Sequence, residues 1–130
     1  MAEIKIRELS IGDWVRYRDR EWIVCSLYKF TEEVGLWLKD SQICENVADC
    51  EPIPITAEIL EKNGFRKNGE YNEWNIGEWN ERPFIGVSLD RQSMRVKHLG
   101  SDIFIENKVV FVHQLQRALR LAGVGKEIEV

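Results

Sequence analysis

The stretch PIPITAEILEKNGF, from Pro52 to Phe65, constrains this chain more than any other, because its residue types spell one short helix with both ends specified. Thr56 can accept hydrogen bonds from N–H groups of the first turn, and Glu58 places negative charge at the positive helix end. Gly64 can take the left-handed exit conformation. Ile55 before the cap and Leu60 at the fourth helical position fit a hydrophobic staple, while Leu60 and Phe65 fit the apolar contact that accompanies a glycine C-cap. The helix is expected over residues 57–63. These signals concern packing and carry no chemistry.

A chain of 130 residues with 44% hydrophobic content can bury one ordinary core without disulfides or metal. Its longest apolar runs, such as Val109 to Val112, are too short to cross a bilayer, and the opening MAEIKIREL carries charges where a secretory leader is apolar. A soluble, cytoplasmic protein is expected, with no membrane association. Cys25, Cys44 and Cys50 form no C-x-x-C pair and make an odd count, which fits a reducing compartment. With His98 and His113 as the only histidines, no closely spaced metal-ligand set exists, and neither metal nor cofactor is expected. The net charge of −4 is concentrated between residues 31 and 64, where eight acidic side chains face two basic ones. That balance argues against a general nucleic-acid footprint but leaves room for a local basic patch.

Ile11-Gly12-Asp13 reads as a turn into the alternating segment Trp14 to Arg18, followed by a polar corner and a second alternating segment, Glu21 to Tyr28. Val34 to Lys39 continues the pattern and Gln42 to Cys50 carries it weakly. This first third predicts a small, curved antiparallel β-barrel or meander. After the capped helix, strands are expected near Glu70 to Trp74, Phe84 to Leu89, Met94 to Leu99 and Ile103 to Ile105. Phe111, Val112, Leu115, Ala118, Leu119 and Ala122 then share one helical face that ends at Gly123, and Lys126 to Val130 alternates like an edge strand.

IGDWV, EPIPITAEILEKNGF and VHQLQRAL, in that order before the EIEV tail, resemble a family of short uncharacterised proteins abundant in Bacteroidetes genomes, prophages and mobile elements. The family pattern continues its last motif with an aromatic residue and a Thr before Gly, where this chain has Arg117 to Gly123 without either. The resemblance implies a cytoplasmic accessory protein and transfers no catalytic residue.

Three groups of residues are candidates for a binding surface. Trp14, Arg16 and Arg18 interleave an aromatic with cations on one strand, as single-strand nucleic-acid binders do, although an ordinary solvated strand face looks the same. Arg95 and Lys97 make a second basic strand. Trp74 and Trp79, with Asn75, Asn80 and Glu81 nearby, suit an aromatic platform for a sugar or peptide if the tryptophans do not cover the core. His113, Gln116, Arg117 and Arg120 fall opposite the apolar face of the last helix, so a polar, solvent-facing surface is expected there. No nucleophile elbow or phosphate loop occurs, and no catalytic residue is assigned.

The expected architecture is α+β: the N-terminal β-barrel or meander, the capped helix, and a second antiparallel sheet packed by the C-terminal helix. It forms a single unit over residues 1–130, or two packed subdomains, 1–50 and 51–130, joined near Glu51 to Thr56. The expected function is a non-enzymatic protein-binding or adaptor role. The alternative is a nucleic-acid-binding accessory factor using the basic, aromatic-containing N-terminal strand.

Overall fold

The computed structural model describes residues 4–68, 72–77, 83–98, 101–106 and 111–130, with 98 and 101–106 described by their backbone alone. The described residues form an α+β fold, with two antiparallel sheets of four and five strands and two α-helices. It divides into two compact units, one comprising Met1–Ile53 with Phe111–Gln114, the other Pro54–Val110 with Leu115–Val130.

In the first unit, a 3-10 turn (Ile6–Glu8) leads through the turn Ser10 to Asp13 into β1 (Trp14–Tyr17). Gly12 sits at φ 98°, the sign that a type II turn needs at its third residue, and Asp13 N–H closes the turn onto Ser10 O at 3.1 Å. The meander continues through β2 (Arg20–Tyr28), β3 (Glu33–Leu38) and β4 (Ser41–Asn46), in spatial order β1-β2-β3-β4. Alternation puts Val15, Tyr17, Trp22, Val24, Val34 and Leu36 on the buried face, where Ile4, Ile6, Leu9 and Val47 complete the core.

The barrel expected for this region is not closed by strand pairing. After β4 the chain makes a 3-10 turn (Val47–Asp49) and touches the outer edge of β1 at one residue only, Glu51. Arg16 and Glu51 exchange both backbone hydrogen bonds at 2.8 Å, but a barrel needs a continuous ladder there and a single pair is not one. The sheet is an open meander, and β4 is its other edge.

In the second unit, α1 (Ala57–Lys62) has the ends its sequence specifies. Thr56 Oγ1 accepts from Ile59 N–H at 3.3 Å, and Gly64 stands at φ 82°. Phe65 N–H donates to Leu60 O at 3.0 Å and Gly64 N–H to Glu61 O at 3.1 Å, the paired bonds of a Schellman exit. Ile55, Leu60 and Phe65 are all buried.

The five-stranded sheet runs β5 (Arg66–Lys67), β6 (Glu73–Ile76), β7 (Phe84–Ser88), β8 (Ser93–His98) and β9 (Ser101–Glu106) in sequence order. One cross-strand row aligns Trp74, Val87 and Met94, and another aligns Ile76, Ile85 and Val96; five of these six are buried and Ile76 is half-buried.

The helix α2 (Val112–Leu121) begins with residues of the first unit and continues in the second. Leu115, Ala118, Leu119 and Ala122 are buried, as the apolar periodicity requires. Gly123 at φ 74° ends the helix with the same paired bonds, Val124 N–H to Leu119 O at 2.9 Å and Gly123 N–H to Arg120 O at 3.1 Å. The tail 126–130 forms no strand. Instead the Asn63 amide holds Glu129 from both sides, donating to its carbonyl at 2.7 Å and accepting from its N–H at 2.8 Å. A side-chain amide thus meets the backbone groups that a neighbouring strand would have met.

Candidate functional site

The first unit's sheet has an outer face, and its register builds a surface that no single strand reveals. Trp14 pairs with Ile23, and Ile23 with Trp37, so these three side chains occupy consecutive positions of one cross-strand row. Trp14 and Ile23 are half-buried and Trp37 is 45% exposed. The row runs on to Gln42 of β4, which is exposed. The β2–β3 hairpin adds Tyr28, 52% exposed, and Phe30, fully exposed. A row of apolar and aromatic side chains left at the surface is a feature that marks interaction faces.

Next to this row the sheet carries Gly35, buried and opposite both Ser26 and the extra residue Cys25 of a β-bulge. A Cβ at Gly35 would collide with Ser26 Oγ and lie 3.2 Å from Cys25 Sγ, so any other residue here would require the Ser26 side chain to move. Gln42 Nε2 donates to Cys25 Sγ at 3.8 Å, and Cys44 Sγ donates to Glu33 Oε2 at 3.6 Å. Partial desolvation and the Glu33 carboxylate hold the Cys44 thiol above its ordinary range, and burial pushes Cys50 up to about 11. Neither thiol is a poised nucleophile, which requires a lowered pKa.

Of the first candidate group, Trp14 and Arg16 do share the outer face of β1. Arg16 Nη2, however, lies 3.4 Å from Glu21 Oε1 across the hairpin, so its charge is offset. Arg18 is not on the strand. It occupies the two-residue turn with Asp19, at φ 49° and 61°, and its guanidinium lies 5.4 Å from the Tyr17 ring centre. The extended cation track expected along β1 is therefore not formed, because the hairpin turns one residue earlier than the strand reading assumed.

Trp74 is no platform. It lies on the core row of β6, 8% exposed, with its indole N–H donating to Asn72 Oδ1 at 3.2 Å. Trp79, Asn80 and Glu81 fall outside the described residues.

The polar face expected on α2 is half wrong. Arg117 and Arg120 are exposed, but Gln116 is buried and His113 is only 2% exposed. A helical wheel sees one helix and assumes one packed side, whereas the first turn of α2 is enclosed within the first unit. Val112 N–H donates to Ile53 O at 2.8 Å, and Gln114 Oε1 accepts from Phe111 N–H at 3.0 Å as half of a capping box. Phe111 stacks on His113, with ring centres 6.0 Å apart and planes 11° from parallel.

His113 Nε2 lies 3.6 Å from Glu8 Oε2, beyond hydrogen-bond range, and among the described residues neither ring nitrogen has a hydrogen-bond partner. Burial lowers its pKa, while the Asp13 and Glu8 carboxylates pull it back up. Asp13 is fully buried and accepts from Ser10 N–H at 2.8 Å.

Among the described residues, no cluster of three or more His, Cys, Asp or Glu side chains is arranged to hold a metal ion. Among the same residues, no helix is long and apolar enough to cross a membrane. Compared with protein-family models, curated proteins and solved structures, the chain matches none.

Proposed function

We propose that this chain is a non-enzymatic protein-binding module, and that the outer face of the first unit's sheet is its contact surface. The observation that carries this reading is the row Trp14, Ile23 and Trp37, an apolar band across three strands with Trp37 nearly half exposed. Tryptophan and tyrosine dominate the binding energy of protein interfaces, because they bury a large area at little entropic cost. Beside the row, β4 is an edge strand, and its unpaired backbone groups suit a partner segment that adds in the extended conformation. The cytoplasmic setting and the mobile-element context rest on the sequence resemblance.

The nucleic-acid alternative draws less support from the same face, since Arg16 is offset by Glu21 and Arg18 is drawn into the turn. The two readings separate in one experiment. Affinity capture of the full chain from its native host, with and without nuclease, should recover a partner that resists nuclease. Recovery that vanishes on nuclease treatment would favour the alternative.

A further inference from the structure

The outer edge of β4 is regular and unprotected. Val47 N–H donates to Glu32 O at 2.8 Å, which sets the phase of the β3–β4 ladder. Hydrogen-bonded and open pairs alternate along an antiparallel ladder, so Glu45, Ile43 and Ser41 also turn their backbone groups to β3. Gln42 and Cys44 therefore turn theirs outward. Natural edges are blunted by lysine, proline or a bulge, and Ser41–Asn46 has none of these in its sequence or its register. Ile43 and Glu45 are half-buried on the core-facing side, and the other residues of the strand are exposed.

Charge selects what can add there. Between residues 32 and 49 the chain carries Glu32, Glu33, Asp40, Glu45 and Asp49 against Lys39 alone. Glu33 reaches the edge on the outer face, with its Oε2 3.6 Å from Cys44 Sγ, and Glu45 stands on the core-facing side. Glu45 also accepts from the Tyr17 hydroxyl, a neutral partner that leaves its charge in place. Among the described residues, no lysine or arginine stands within ion-pair distance of either carboxylate. After desolvation, Glu33 and Glu45 are the groups that raise the Cys44 thiol, so the middle of the edge is electronegative.

We infer that the edge of β4 takes an extended segment of a partner protein, added antiparallel, with lysine or arginine facing Glu33 and Glu45 and an aliphatic residue beside Ile43. Backbone hydrogen bonds to Gln42 and Cys44 supply the affinity, and the carboxylate on each face supplies the selection. A second copy of this chain would bring its own Glu33 and Glu45 to the seam and double the negative charge along one ladder, which like-charge repulsion disfavours. All of these residues belong to the first unit. The inference rests on the protein-binding reading above and names the chemistry of its partner.

The test is a titration of the isotopically labelled full chain by two-dimensional NMR with blocked hexapeptides. The probe is Lys-Arg-Thr-Val-Thr-Val, which in antiparallel register sets Arg opposite Glu45 and the first Val opposite Ile43. Its controls are Glu-Glu-Thr-Val-Thr-Val, with the charge reversed, and Lys-Arg-Pro-Val-Pro-Val, without the two N–H groups that meet Cys44 and Gln42. Saturable shifts and slowed exchange of the Gln42 and Cys44 amides are expected with the basic probe, with both controls at least about tenfold weaker. Glu33→Gln and Glu45→Gln should each weaken the probe about two- to fivefold, the scale of a rim ion pair. Cys44→Pro removes an outward N–H that the β3–β4 ladder does not use, and should abolish binding.

Equal binding of the basic and acidic peptides, binding of the proline peptide, or affinity unchanged in both glutamine variants would each overturn the inference. So would Gln42 and Cys44 shifts that depend on protein concentration without peptide, since a second copy would then hold the edge. If affinity capture returns a partner that needs Trp37 while the three peptides bind alike, the protein-binding reading stands and this inference falls. Selective binding of the basic peptide with no partner recovered would instead keep the edge assignment and remove the broader reading.

Discussion

The imidazole of His113 lies 3.6 Å from the carboxylate of Glu8, enclosed within the first unit with almost no exposure. Since burial lowers its pKa below the ordinary 6.5, the unfolded chain binds a proton more readily than the folded one. Its contribution to stability is therefore complete above about pH 6.5 and is lost as pH falls through that value toward the lower folded-state pKa. Glu8 and Asp13 face the ring and moderate the loss. Denaturant midpoints measured from pH 7.5 down to 5 should fall for the wild type, and His113→Gln should flatten that slope. Parallel curves for the two proteins would show that His113 does not titrate as its burial requires.

The capped helix offers a separate test of the second unit. Thr56→Ala removes the acceptor for Ile59 N–H and should cost about 1 kcal/mol. Gly64→Val forces a β-branched residue to φ 82° and should cost about 1–2 kcal/mol or more. Chemical denaturation reads both, and the glycine variant should be the more damaging.

The β1–β2 turn predicts a gain. Arg18 and Asp19 both hold left-handed conformations between the closing pair Tyr17 and Arg20, a type I′ arrangement that favours Asn-Gly. Asp19→Gly at φ 61° relieves the strain and should raise stability by about 0.5–1 kcal/mol. A lower thermal midpoint in this variant would contradict the assigned turn geometry.

On α2, Leu115 and Leu119 are almost wholly buried, and truncating either to Ala should cost about 2–5 kcal/mol. Arg117 and Arg120 are exposed, so their joint replacement by Gln should leave the thermal midpoint nearly unchanged. The reverse ranking would mean that the helix is rotated about its axis.

These elements also mark how far the sequence could be read. The helix caps at Thr56 and Gly64 and the alternation of β1 to β3 are local signals, carried by residues within a few positions of each other. The surroundings of His113 are not local: the carboxylates that act on its ring, Glu8 and Asp13, lie about a hundred residues earlier. The Trp14, Ile23 and Trp37 row was equally hidden, because it depends on register. A two-residue turn and the irregularity between Val24 and Ser26 set that register, and a shift of one residue would send each tryptophan to the other face. The two readings open for Trp74, core cover or exposed platform, are separated only by register, since composition cannot say which side of β6 an indole occupies.

The protein-binding reading is tested most directly by one substitution. Trp37 is the most exposed apolar side chain of the outer row, so Trp37→Lys should keep the fold while placing a charge in the proposed contact. Nuclease-treated affinity capture should be run with wild type, Trp37→Lys and the Arg117→Gln/Arg120→Gln variant, each checked for an unchanged thermal midpoint. Loss of the partner from Trp37→Lys alone is the predicted result. Undiminished recovery with Trp37→Lys would contradict the assignment of this face.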